Sequence, residues 1–143
     1  MILAIDPRRI PLLLPTAILL LVLSLAAPAA ATVTRVESAG KVGFRGVLEL
    51  AAAPLYTMRP TSFTLTLFDP AGRQTASLKP RCDLVMPAMP MPDNRPRLTA
   101  KDNGFSGEAV FTMAGEWQML VSFATASGAQ EQLTFDLGRV LLK

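Results

Sequence analysis

The sequence predicts an all-β fold, a sandwich of about seven antiparallel strands in a single domain at residues 32–143. Three observations predict it. Beyond Thr32, apolar residues recur at every second position in short runs rather than at the spacing of an amphipathic helix. Turn-forming Pro, Gly, Asn and Asp separate these runs at intervals usual for all-β domains. The stretch is about 110 residues long, enough for one domain whose core needs no staple.

Residues 42–50 form the first expected strand, interrupted by Gly43 and Gly46 and ended by Ala51-Ala52-Ala53-Pro54. Residues 61–68 alternate most clearly: Phe63, Leu65 and Leu67 face one side, Ser62, Thr64 and Thr66 the other. Asp69-Pro70-Ala71-Gly72 is a tight turn, with proline second and glycine last. Residues 74–78 return, and residues 81–85 form another strand. Residues 98–101 lead into Asp102-Asn103-Gly104, a hairpin signal, with a strand expected at 108–113. Ala114-Gly115 turns into residues 116–123, where Trp117, Met119, Val121 and Phe123 share a face. A turn at 125–129 precedes residues 132–137, with Leu133, Phe135 and Leu137 inward. Trp117, Phe63, Phe123 and Phe135 are thus the expected aromatic core. Met113 and Met119 are expected inward in their strands, and no pattern places Met58.

The N-terminal 31 residues read as a targeting segment. Arg8 and Arg9 precede the apolar run Thr16 to Leu25, and Ala29-Ala30-Ala31 offers a small-residue cleavage site. Cleavage after Ala31, leaving Thr32 first, keeps Pro28 away from the scissile bond. The rival reading is an uncleaved anchor, since the run from Ile10 to Ala27 approaches the ~18 residues that can span a bilayer. Without Arg8, Arg9 and Asp6, 12 basic and 10 acidic residues remain, scattered along the chain. No basic run or aromatic-interleaved patch points to nucleic acid. A single cysteine, Cys82, excludes an internal disulfide.

The chain has no histidine. A Ser-His-Asp or Cys-His mechanism therefore cannot be assembled, nor a histidine-ligated zinc or copper site. Asp69, Asp83, Asp93, Asp102, Glu108 and Glu116 are spread over turns and strand ends, with no acid–base pairing. No glycine loop with a following lysine cradles phosphate. These absences predict a protein that is not an enzyme, with no small-molecule substrate indicated.

One stretch carries positive chemistry. Met86-Pro87-Ala88-Met89-Pro90-Met91-Pro92 places three thioethers within six residues, interleaved with prolines. Proline lacks an amide donor, so the segment must be a loop. Three readings of Met86, Met89 and Met91 stay open: a plug for the end of the sandwich, a soft-ligand site selective for Cu(I), and an adaptable surface for a protein partner. Cys82, sharing a strand face with Leu84 and Met86, reads as a small buried hydrophobe. As a co-ligand it would sit roughly 13 Å from Met86 at ~3.3 Å per residue, too far without a sharp bend. Trp117 reads as the inter-sheet aromatic, or as a cation–π partner of bound copper if the loop folds over it.

The order of these motifs resembles the YtkA-like and FixH-like exported domains. Asp69-Pro70-Ala71-Gly72, Met86-Pro87-Ala88-Met89, Gly104 and Gly115-Glu116-Trp117 carry the resemblance, over residues 42–137. It implies an immunoglobulin-like antiparallel β-sandwich, periplasmic or on the outer face of the cytoplasmic membrane. It further implies an accessory role beside copper-handling or haem-copper oxidase assembly systems, with a copper-protein or membrane-protein partner. The expectation is a non-enzymatic exported protein binding Cu(I) through the Met-Pro loop. The alternative is a metal-free module docking on a membrane-protein partner.

Overall fold

The computed structural model describes residues 32–143. Residues 1–31, where the sequence leads one to expect a signal or an anchor, lie outside the described residues. Ten strands follow one another, and among the described residues there is no helix. They are β1 (Thr34–Ala39), β2 (Arg45–Leu50), β3 (Leu55–Tyr56), β4 (Thr61–Phe68) and β5 (Gln74–Thr75). The second half contains β6 (Arg81–Val85), β7 (Thr99–Lys101), β8 (Gly104–Ala109), β9 (Gly115–Ala124) and β10 (Gln130–Leu141). One sheet has the order β1-β2-β4-β8-β7, with β5 also on β4. The other has the order β3-β10-β9-β6. The architecture is all-β and sandwich-like, as the alternation predicts.

The inward faces follow period two. From the first sheet come Leu48, Leu50, Phe63, Leu65, Leu67 and Phe105. From the second come Cys82, Leu84, Trp117, Met119, Val121, Phe123, Leu133, Phe135, Leu137 and Val140. Every aromatic expected in the core is buried. Each large side chain fully withdrawn from water contributes about 1.5–3 kcal/mol, and this shared face holds the two sheets together. Gly46 does not break its strand but serves the packing. A Cβ there would lie 2.7 Å from the Phe135 ring and 2.8 Å from Leu133. The missing side chain lets the facing sheet approach.

The elements differ from the sequence expectation in five places. The expected strand at 42–50 begins only at Arg45, because Lys41, Val42 and Gly43 turn. An unexpected β1 precedes it and pairs with β2 from Thr34↔Leu50 to Ala39↔Arg45. Residues 74–78 shorten to β5, after which the chain crosses to the other sheet at β6. The strand expected at 108–113 sits earlier, as β8, because the hairpin is tight. Asp102 and Asn103 (φ 48° and 60°) form a two-residue turn that starts β8 at Gly104. Finally, β10 runs past Leu137 through a bulge between Asp136 and Gly138, and its end pairs parallel to β3.

Candidate functional site

Strand directions bring four connections to one end of the sandwich, those on either side of β3 and those after β6 and β8. Leu50 ends β2 and Thr61 begins β4, with the short β3 between them lying beside Val140 and Leu141 of β10. Ala109 ends β8 opposite Thr61, and Gly115 begins β9 opposite Val140. Val85 ends β6 opposite Gln118. The connections 57–60, 86–98 and 110–114 therefore share this end. They carry Met58, Met86, Met89, Met91 and Met113. Of the methionines in residues 32–143, only Met119 lies elsewhere, in the mid-strand core.

The Met-Pro loop treats its thioethers unequally. Met86 continues the inward face of β6 and is only 8% exposed. Its terminal methyl lies against Gly115, where a Cβ would come within 2.7 Å. Gly115 also has a φ of +133°, a conformation that side chains resist. The Met89 amide then donates to the Met86 carbonyl across 3.3 Å, closing a turn over Pro87 and Ala88. Met89 is 45% exposed. Met91 is half-buried and packs on the core. The chain next runs back beside β6, where the Leu84 amide donates to the Asn94 carbonyl (2.8 Å). The Asn94 side-chain amide donates to the Val110 carbonyl (2.9 Å). Arg95 pairs with Asp83 at 2.7 Å and with Asp93 at 3.4 Å. The loop is thus pinned at its return, with Met89 at its free tip.

Two neighbours complete this end. Met58, with φ 56°, donates its amide to the Phe111 carbonyl (2.8 Å) and leaves its side chain 64% exposed. Met113 is 37% exposed, which corrects the expectation of a core position. The strand that would have turned it inward ends at Ala109. Its carbonyl accepts the indole N–H of Trp117 at 2.9 Å. Trp117 itself is fully buried and meets the Phe111 ring edge-on, centroids 5.3 Å apart. Met58 carried no local sequence signal, and the apparent alternation around Met113 pointed it inward. Only the meeting of three separate connections shows their relation to Met89.

Cys82 stays apart. It is buried opposite Val121 in the middle of β6. Burial, with a smaller contribution from the Asp83 charge, pushes its thiol up to about 12. At neutral pH it is a protonated small hydrophobe, not a thiolate ligand. Among the described residues, no three His, Cys, Asp or Glu side chains converge as a metal site. The chemistry at the methionine end is that of neutral sulfur. A shallow open groove on the outer face of the first sheet, lined by Ser62, Thr64, Thr99, Ser106, Arg97 and Glu108, offers mixed charge and hydroxyls. Among the described residues, no buried polar side-chain atom is without a hydrogen-bond partner.

Glu131 is a residue the sequence reading passed over, at the opposite end. It occupies an inward phase of β10 and is buried. Its carboxylate accepts the amides of Val42 (3.0 Å), Gln132 (3.0 Å) and Lys41 (3.3 Å). The Val42 hydrogen bond is the largest influence on its pKa. With smaller ones from Gln132, Lys41 and the Lys41 charge, it outweighs desolvation and holds the carboxyl below the usual range. The arrangement fastens the turn between β1 and β2.

No protein-family model, curated protein or solved structure matches the chain.

Proposed function

We propose that this chain is a small exported, non-enzymatic domain of immunoglobulin-like type that binds Cu(I) at its methionine-rich end. It would act as an accessory in periplasmic copper handling or respiratory-oxidase assembly, passing the ion to or from a copper-protein partner. The observation that carries this reading is the gathering of Met58, Met86, Met89, Met91 and Met113 at one end. Thioethers are soft and uncharged, which suits Cu(I) and disfavours Zn(II) and Cu(II). They also have no proton to lose, so binding should vary little with pH, unlike imidazole or thiolate binding. Titration of the protein with Cu(I) against a competing chelator, at neutral and at mildly acidic pH, tests both points. The expected outcome is Cu(I) affinity that persists at acid pH, with no comparable affinity for Zn(II). No Cu(I) affinity at either pH would reject the copper reading.

A second reading rests on a different observation. Exposed large apolar side chains also crowd this end: Val33, Met58, Met89, Met113, Leu141 and Leu142. Such a surface suits a membrane-protein partner without any metal, methionine being adaptable in its packing. Failure of the copper titration would leave this reading standing.

A further inference from the structure

We infer that the Cu(I) ligands are Met58, Met89 and Met113, one from each of three connections, and that Met86 and Met91 support the fold instead. The inference rests on the copper reading above and names its ligand set. A ligand to an ion arriving from solvent must present its sulfur at the surface. Met58, Met89 and Met113 are the exposed methionines among the described residues. Met86 is committed to the core, its methyl filling the space that Gly115 leaves open. Withdrawing it would leave a void there. Met91 is likewise packed against the core.

Two backbone hydrogen bonds, one indole hydrogen bond and one side-chain contact tie together the connections that carry the exposed three. Met58 donates to the carbonyl of Phe111, two residues before Met113. Met113 is held through its carbonyl by Trp117 and lies two residues before Gly115, on which Met86 rests. Met89 is tied to Met86 by the turn hydrogen bond. Each exposed methionine therefore hangs from a fixed backbone point. Its three rotatable side-chain bonds supply the reach. Fixed attachment with a mobile soft donor suits a site that must accept and release an ion.

The test uses the full chain, in detergent if its apolar N-terminal segment is retained, titrated with Cu(I) against a chelator. Four forms are compared: wild type, Met58→Ile, Met113→Ile and the pair Met86→Leu with Met91→Leu. Supporting groups around a metal commonly cost about 10–100-fold in affinity when lost, so a ligand should cost at least about tenfold. Met58→Ile and Met113→Ile should each do so, and the Met86/Met91 pair should leave affinity within about threefold. Copper X-ray absorption should count three sulfurs on wild type and fewer on either single variant. Met113 is exposed, so Met113→Ile should keep the wild-type denaturation midpoint, whereas Met58→Ile places a β-branched side chain at φ 56° and should lower it without unfolding the domain. If the Met86/Met91 pair does not fold, the single variants and the sulfur count still decide. Binding unaffected by Met58→Ile and Met113→Ile overturns this ligand set while leaving the copper reading in place. Absence of Cu(I) binding by wild type overturns both.

Discussion

At the scale of single residues, Trp117 joins the core to the methionine end. It is fully buried, presses edge-on to Phe111 and spends its only donor on the Met113 carbonyl. Trp117→Ala would open a cavity between the sheets and strip that carbonyl of its partner. The expected loss is about 3–5 kcal/mol in denaturant titration, the range for a large buried aromatic. A small domain has only about 5–15 kcal/mol in total, so the variant should be close to unfolding. A loss under about 1 kcal/mol would mean that Trp117 does not bridge the sheets. Cys82 illustrates the opposite case, a reactive residue type made inert by place. Burial and Asp83 together keep its thiol protonated at neutral pH, so its nucleophilicity and its value as a ligand are both suppressed.

At the scale of elements, legibility followed packing. β4, β6 and β9 could be read directly, because each alternates apolar and polar residues against one buried face. β1 could not. As an edge strand it buries little, and it carries Arg35, which pairs with Glu37 and with Glu49 on the outer surface. β8 hides behind Gly104 and Gly107, whereas Val110 to Met113 looks like a strand and is a connection with Phe111 turned into the core. The Met-Pro loop was legible as a loop from its prolines. The joining of Met58 and Met113 to it depends on three connections meeting in space, which no local pattern encodes. Glu131 was hidden in the same way, because its partners lie about ninety residues upstream. That carboxylate yields a prediction for the β1–β2 turn. Its pKa is lowered in the fold, so its stabilisation is fully present above the unfolded carboxyl value and is lost as pH falls through the folded one. Glu131→Gln should cost about 1–3 kcal/mol at pH 7, since its amide group would face backbone donors. The gap to wild type should close as pH drops below about 4. An equal gap at pH 7 and pH 3 would show that the charge of Glu131 does not hold the turn.

At the scale of the whole molecule, the sandwich has a polar-fastened end and a soft end, and the N-terminal segment joins at the soft one. Thr34 pairs with Leu50, and its hydroxyl donates to the Ala52 carbonyl, so the chain arrives beside the methionine connections. Two fates of residues 1–31 then have different consequences for the proposed function. Cleavage after Ala31 frees the methionine end to meet a soluble or membrane-bound partner. Retention leaves a short link, Pro28 to Val33, between the apolar run and the domain. Six residues reach at most ~20 Å when fully extended, so retention would hold the methionine end close to the bilayer surface and turn it toward the membrane. The Arg8-Arg9, apolar run and Ala29-Ala30-Ala31 order predicts the first outcome. N-terminal sequencing or intact mass of the protein recovered from cells should find Thr32 first. Recovery of only full-length protein in the membrane fraction would reject cleavage. It would then require that any Cu(I) exchange take place with a partner at the membrane surface, within reach of that link.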